Sequence, residues 1–243
     1  MSEANSTEGK VRYHALDILR GISIIYIVFY HAVFNISLYS IKTAVFLNSN
    51  VMVYSRTFFV AILILISGIS CYLTKSNIKR GIKTFLAALL VTAVTAIVMP
   101  KMTIIFGILH FFGVAMLIFA ALKKPLEKIP WYIALPILLI LYILTYDIYD
   151  IVGRVPESYV LFSLGFNTGH ISGDYYPIFP HIFLFLSGTV IGRSFAKRQA
   201  PKIFEKNFAP PLAYIGKHTL IIYLAHQPIL FGITYLVFML IGK

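Results

Sequence analysis

The amino-acid sequence predicts an all-α fold, a polytopic transmembrane helical bundle of about seven spans with a long extracytoplasmic loop before the sixth. The first observation is composition, since 59% of the 243 residues are hydrophobic and only 12% are charged. Soluble domains are closer to about 45–50% apolar and 25% charged. The second is a succession of apolar segments of about 20 residues, the length with which a helix crosses a bilayer. The third is that Lys and Arg cluster in alternate connecting segments.

Seven candidate spans follow from the apolar segments and the breakers between them. They cover residues 16–39, 57–74, 84–99, 104–122, 131–149, 178–195 and 212–240. We expect Pro228 to kink the last span, which is the longest. The short gaps favour a single transmembrane domain, residues 16–243, behind a polar cytoplasmic tail, residues 1–15. The first apolar run is too long for a signal peptide, so we expect an uncleaved span.

The positive charges are divided unequally between the two ends of the spans. Fourteen of the 21 Lys and Arg residues fall on the side of the N-terminus and five on the other side. This bias predicts a multi-pass protein of the cell membrane with a cytoplasmic N-terminus and an extracytoplasmic C-terminus. It also explains the net charge of +12 by topology and by contact with anionic membrane lipids. No basic, groove-reading face stands outside the spans, so nucleic acid is not an expected partner.

Polar residues inside the first span are the main functional signal, because such groups are costly in a membrane helix. Arg20 and His31 are eleven residues apart, close to three helical turns, so they share one face about 16 Å apart along the axis. Asn35 lies near the same stripe. Asp17 precedes Arg20 by three residues and can pair with it. The alternative is a polar packing seam with hydrogen bonds between helices.

Histidines in other spans fall at comparable predicted depths. His31 and His110 both lie in the outer half of their spans. His226 lies near mid-membrane beside Gln227, and His181 lies at the external mouth of the sixth span. A single buried histidine is more often a packing residue, but several at one depth favour a shared polar cavity. No metal-binding histidine spacing occurs and carboxylates are scarce in the spans, so no metal is expected.

Two further features concern packing and access. Small residues at Gly107 and Gly113, at Ser67–Gly68 and at Ser187–Gly188 mark places where another helix can approach closely. The longest connecting segment, residues 150–177, has an apolar centre that is too short to span and predicts a re-entrant or interfacial piece. Long loops on rigid scaffolds often carry binding function, with an ordinary exposed connector as the alternative.

At these residues the chain resembles a known family. Arg20 and His31 resemble the Arg/Lys-x10-His motif on the first helix of membrane acyltransferase-3 proteins. The fuller pattern resembles the bacterial relatives of heparan-alpha-glucosaminide N-acetyltransferase, the DUF1624 family. The matching stretches, spread over nearly the whole chain, are RYHALDILRGISIIYIVFYH, FGILHFFG, GDYYPIFP with LFLSG, and YIGKHTLIIYLAHQPIL. The resemblance implies a transmembrane acyltransferase that moves an acyl group from cytoplasmic acyl-CoA to an acceptor, typically a glycan, on the other face.

The resemblance implies roles for His31 and Arg20, and charge, spacing and predicted depth indicate roles for the other polar residues. His31 would be the catalytic histidine, as general base or as acyl carrier, and Arg20 its motif partner, with Asp17 and His110 beside them. Lys79, Arg80 and Lys83 would hold the phosphates of acetyl-CoA, the expected donor. The candidate substrate-binding residues are Asn35, Asp174, Tyr175, His181, Tyr223, His226 and Gln227. The chain departs from the eukaryotic acetyltransferase, where the position of His31 is an asparagine and the proposed active histidine falls near Lys42.

Two other classes are alternatives. A small-molecule or lipid transporter or binding protein would use the buried histidines as a proton relay. Such a relay usually also needs buried carboxylates, whereas the acidic residues here lie at span boundaries and no inverted repeat is visible. A structural membrane subunit would leave the polar seam unexplained. The sequence leaves the acceptor, the acyl chain and a homo-oligomeric assembly open.

Overall fold

The structure is a computed structural model that describes residues 12–242, and it is helical through most of this range. Within it lie eleven α-helices, two short 3-10 turns and two isolated β-bridges. The helices are α1 His14–Ser37, α2 Ile41–Leu47, α3 Asn50–Leu73, α4 Asn77–Val98, α5 Ile108–Glu127, α6 Trp131–Leu144, α7 Ile148–Ile151, α8 Tyr159–Leu164, α9 Ile178–Ala196, α10 Pro210–Lys217 and α11 Thr219–Leu240. The predicted all-α fold is confirmed. Of the predicted tail, residues 1–11 lie outside the described residues, as do Lys10 and Lys243 of the charge argument.

Six helices among the described residues are long and apolar enough to cross a membrane, in rough agreement with the seven predicted spans. They are α1, α3, α4, α5, α9 and α11. The predicted fifth span contains α6, which has only fourteen residues. Such a helix rises about 21 Å, short of a hydrocarbon core of about 30 Å.

For two of the predicted spans, the second and the fourth, contacts explain why the helix begins at another residue than predicted. The second span begins at Asn50 rather than at residue 57, because its polar first turns find partners on α1. Ser55 hydrogen-bonds the Tyr26 hydroxyl, and Arg56 Nη1 donates to the Tyr30 hydroxyl at 3.2 Å. The fourth span begins at Ile108 rather than at residue 104, because residues 103–106 pair with the backbone of residues 173–176 instead.

The last predicted span, residues 212–240, is two helices. The chain breaks at His218, between α10 and α11, where the backbone leaves the helical region at φ −104° and ψ 16°. The Thr219 hydroxyl donates to the Gly216 carbonyl oxygen at 2.7 Å, which satisfies one of the last carbonyls of α10. α11 continues through Pro228 as one helix, and the kink expected at that proline stays a prediction.

The described chain forms two compact units, one of residues 12–60 with 200–242 and one of residues 61–199. In the first unit α1 packs against α2, α10 and α11. The crossing of α1 and α10 is made by Gly21 and Gly216. A Cβ atom added to Gly216 would collide with the Asp17 carbonyl oxygen and lie 3.0 Å from the Gly21 nitrogen. The two backbones therefore touch directly at Asp17 of α1.

The second unit also uses small residues at its helix contacts. A Cβ atom on Gly113 of α5 would lie 2.9 Å from the Phe85 Cα of α4. A Cβ atom on Gly68 of α3 would lie 3.0 Å from the Thr189 nitrogen of α9. One on Gly188 of α9 would lie 3.1 Å from the Leu65 Cα of α3. The predicted close approaches at Gly68, Gly113 and Gly188 are confirmed.

The glycine crossing of the first unit can be tested by adding one methyl group. We expect Gly216→Ala to lower the free energy of unfolding by about 1–3 kcal/mol, because the new Cβ meets backbone that cannot turn aside. The matched control is Gly232→Ala on α11, where nothing lies within 4 Å of an added Cβ. The measurement is the thermal unfolding midpoint of the purified variants in detergent. Equal midpoints for the two variants would contradict a tight α1–α10 crossing.

Candidate active site

The N-terminal end of α1 carries a buried carboxylate held between two guanidinium groups. Asp17 Oδ1 accepts from Arg20 Nη1 at 2.9 Å. Its Oδ2 accepts from Arg12 Nε at 3.1 Å and from Arg12 Nη2 at 2.8 Å. The predicted Asp17–Arg20 pair is therefore present. Sequence reasoning missed Arg12, which precedes the predicted span. Among the described residues, two guanidinium groups share this one carboxylate at the N-terminal end of α1.

A pair of histidines joins α1 to α11 in the same unit. His226 Nε2 lies 3.1 Å from His31 Nδ1, with the ring centroids 4.8 Å apart. Each ring is also tied to its own helix. His31 Nδ1 lies 3.0 Å from the Ile27 carbonyl oxygen, and His226 Nδ1 lies 2.6 Å from the Tyr223 carbonyl oxygen. The sequence singled out both histidines but not their contact.

The two carbonyl oxygens determine where the hydrogens sit on the neutral rings. A carbonyl oxygen only accepts, so Nδ1 of both histidines carries hydrogen. His226 Nε2 is then an acceptor, and it shares the His31 Nδ1 hydrogen with the Ile27 carbonyl. His31 Nε2 is left unprotonated, and none of residues 12–242 hydrogen-bonds it. The pair thus presents one basic nitrogen, on His31, in a fixed orientation.

A second polar contact joins α1 and α11 one turn further along. Gln227 Nε2 donates to Asn35 Oδ1 at 3.1 Å, and Asn35 is 1% exposed. The structure therefore brings together four predicted site residues, His31, Asn35, His226 and Gln227. Tyr223 joins them through its backbone carbonyl.

His110 lies in the second unit, where both of its ring nitrogens are used. Nδ1 accepts from the Gly107 backbone N–H at 3.2 Å, which caps the first turn of α5. The other nitrogen, Nε2, therefore carries hydrogen and donates to Thr92 Oγ1 at 3.1 Å. The Thr92 hydroxyl in turn donates to the Ile104 carbonyl oxygen at 2.6 Å. This geometry makes His110 a positioning residue of the α4–α5 connection, and sequence reasoning missed its partner Thr92.

Residues 172–176 of the long loop are ordered against the same connection. Asp174 Oδ2 accepts from the Ile108 N–H at 3.1 Å, at the positive end of α5. Ser172 Oγ accepts from the Ile105 N–H at 3.0 Å. The Tyr175 hydroxyl donates to the Phe162 carbonyl oxygen at 2.7 Å. Burial raises the pKa of the Tyr175 phenol above its ordinary value. The apolar centre of the loop, read as a re-entrant piece, forms the short helix α8 and packs through the buried Phe162.

The remaining predicted residues belong to the second unit. His181 Nδ1 donates to the Pro177 carbonyl oxygen at 3.0 Å, on its own helix. Lys79 and Lys83 are exposed one turn apart on α4. Arg80 is half-buried and donates to Thr74 Oγ1 at 3.3 Å. Among the described residues, no group of three or more His, Cys, Asp or Glu side chains is placed to hold a metal ion.

The fold and the histidine pair define a class of protein, a polytopic helical membrane protein with a polar site inside apolar helices. Residues 12–228 match the family described as heparan-alpha-glucosaminide N-acetyltransferase, catalytic. The chain belongs to this family, and the matched range contains every predicted site residue. Membership supports a transmembrane acetyltransferase and confirms the resemblance stated above. No curated protein and no solved structure matches the chain significantly.

The structural role of His110 gives a test that needs no substrate. We expect His110→Ala to lower the free energy of unfolding by about 1–3 kcal/mol, because it leaves the buried Gly107 N–H without an acceptor. Thermal unfolding in detergent measures the loss. His218→Ala is the control, since that ring hydrogen-bonds only the Tyr214 carbonyl oxygen of its own helix. A midpoint for His110→Ala as high as that of the control would rule out the capping role.

Proposed function

We propose that the protein transfers an acetyl group from cytoplasmic acetyl-CoA to an amine or hydroxyl of a glycan on the extracytoplasmic side of the membrane. Two observations support this proposal. The first is membership of the acetyltransferase family. The second, which carries the proposal, is that His226 and Ile27 orient His31 so that its Nε2 is a basic nitrogen with no hydrogen-bond partner among the described residues.

In the proposed reaction His31 is the general base. Its Nε2 takes the proton of the acceptor amine or hydroxyl while that nitrogen or oxygen attacks the thioester carbonyl carbon. The carbon–sulfur bond then breaks, and the proton held by His31 returns to the departing thiolate. His226 acts through His31: its Nε2 accepts the Nδ1 hydrogen and stabilises the imidazolium that forms. The alternative is that His31 Nε2 attacks the thioester itself and carries the acetyl group to the acceptor.

The charged end of α1 fits the donor. Acetyl-CoA carries phosphates, and guanidinium groups recognise phosphate oxygens through paired hydrogen bonds. Asp17 accepts hydrogen bonds from both Arg12 and Arg20, and Arg20 lies about 16 Å from His31 along the helix. We assign Arg20 to the donor side of the site, with Asp17 as its positioning residue. The proposed contact of Lys79, Arg80 and Lys83 with the phosphates is supported by the charge of all three and by the exposure of Lys79 and Lys83.

Membrane orientation can be tested by cysteine labelling. Starting from a variant whose Cys71 is replaced by Ser, single cysteines are placed at the exposed positions Asn48 and Lys75. The charge bias predicts that an impermeant maleimide labels Asn48→Cys from outside intact cells and Lys75→Cys only after permeabilisation. Labelling of Asn48→Cys from the cytoplasm alone would reverse the proposed direction of transfer.

The chemical role of His31 predicts a large kinetic effect. We expect His31→Ala to lower acetyl transfer by about 10²- to 10⁴-fold, the usual range for general acid–base catalysis. His226→Ala should lose less, and His226→Gln should recover part of that loss, because its amide oxygen can accept the His31 hydrogen. The assay is release of CoA and of acetylated acceptor by purified protein in lipid. His218→Ala serves as the unchanged control.

Two outcomes separate the possibilities for His31. A radiolabelled acetyl-protein that accumulates without acceptor, and is lost in His31→Ala, would establish the covalent route. Wild-type rates in His31→Ala would remove the chemistry from α1 and would favour a small-molecule or lipid carrier instead.

A further inference from the structure

The contact between Asn35 and Gln227 leaves two buried atoms with no hydrogen-bond partner among residues 12–242, Asn35 Nδ2 and Gln227 Oε1. One atom is a donor and the other an acceptor. This pairing does not depend on how the amides are turned. Exchanging oxygen and nitrogen in both side chains keeps one hydrogen bond between them and again leaves one donor and one acceptor. A buried polar atom without a partner is costly, so these two atoms mark a place where a ligand gains affinity.

The amide pair lies next to the histidine pair. Asn35 follows His31 by one helical turn, about 6 Å along α1, and Gln227 directly follows His226. Arg20 lies eleven residues before His31, in the opposite direction along the helix. Beyond Arg20, α1 has no charged residue, and α11 has none along its whole length. The two sides of His31 therefore differ: charged side chains lie on one side, and polar but uncharged side chains lie on the other.

We propose that Asn35 and Gln227 form the acceptor subsite and bind uncharged hydroxyl groups next to the atom that is acetylated. This inference rests on the proposed function. A hydroxyl group both donates and accepts, so the neighbouring hydroxyls of a sugar ring match one amide N–H and one amide oxygen. A phosphate offers only acceptors and an ammonium group only donors, and neither satisfies both atoms.

A secondary amide also offers one donor and one acceptor, and the pantetheine arm of acetyl-CoA contains two. The arm is assigned to the Arg20 side of His31, because the phosphates of acetyl-CoA pair with guanidinium groups, which lie at that end of α1. The two possible ligands of the amide pair, the acceptor sugar and the pantetheine arm, make opposite predictions. An acceptor subsite controls affinity for the sugar, whereas a pantetheine subsite controls affinity for acetyl-CoA.

The first experiment uses the unmodified protein in lipid nanodiscs and measures binding by calorimetry, without turnover. Glucosamine is compared with cyclohexylamine, which has an amine on a six-membered ring but no hydroxyl groups. We expect glucosamine to bind about ten-fold more tightly, the effect of one or two net hydrogen bonds. Equal affinities, or no binding of glucosamine, would overturn the proposal without any variant having to fold.

The second experiment removes both amides together, in the double variant Asn35→Leu/Gln227→Met. Replacing both partners avoids leaving one of them buried and unpaired. We expect glucosamine affinity to fall about ten-fold, to the level of cyclohexylamine, while acetyl-CoA affinity changes by less than about two-fold. The control is Ser37→Ala on the same helix, whose hydroxyl is bound to the Phe34 carbonyl oxygen at 2.6 Å.

The outcomes keep the subsite and the proposed function apart. Unchanged glucosamine affinity in the double variant, or a loss confined to acetyl-CoA, would overturn the acceptor subsite. Glucosamine binding that depends on both amides would support the subsite even if no acetyl group is transferred, and in that case it is the acetyltransferase proposal that fails.

Discussion

Polar groups in a bundle of membrane-spanning helices depend on other protein groups for their hydrogen bonds, because lipid offers none. This constraint organises α1. Its carboxylate is bound by two guanidinium groups, its imidazole by a second imidazole and a backbone carbonyl, and its amide by a second amide. The last two partners come from α11, and the glycine crossing brings α10 against the Asp17 turn. The polar groups of α1 thus help fix which helices α1 packs against in its unit.

The same constraint gives two histidines at comparable predicted depth different roles. At His110, a backbone N–H and a threonine hydroxyl occupy the two ring nitrogens, and no lone pair is left over. At His31, the Ile27 carbonyl oxygen and the His226 ring both accept from Nδ1, and Nε2 keeps its lone pair. The residue type is the same, so the difference lies in what the surrounding groups donate or accept. Of these two histidines, only His31 keeps a ring nitrogen without a partner among the described residues.

Helical periodicity predicted the features that are set within a single helix. The pairing of Asp17 with Arg20 needs only their spacing of three residues, and the number of apolar helices follows from segment length. The contact of His31 with His226 joins residues 195 positions apart, and no single-helix pattern carries that information. Thr92 was missed because an isolated threonine in an apolar run has no distinctive pattern. The break at His218 was missed because hydropathy does not register it.

The distribution of charge along α1 fits the proposed direction of acetyl transfer, from a donor with phosphates to an uncharged acceptor. Asp17, Arg12 and Arg20 place charged side chains at the N-terminal end of the helix. From Gly21 to Ser37 the helix has no charged residue, and its polar side chains include the imidazole of His31 and the amide of Asn35. A substrate with phosphates gains most at the first end, and an uncharged polyol gains most at the second. Arg20 and Asn35 lie about 16 Å or more apart along one helix, with His31 between them. A base at His31 can therefore lie between two substrates of unlike charge, each bound at its own end of the helix.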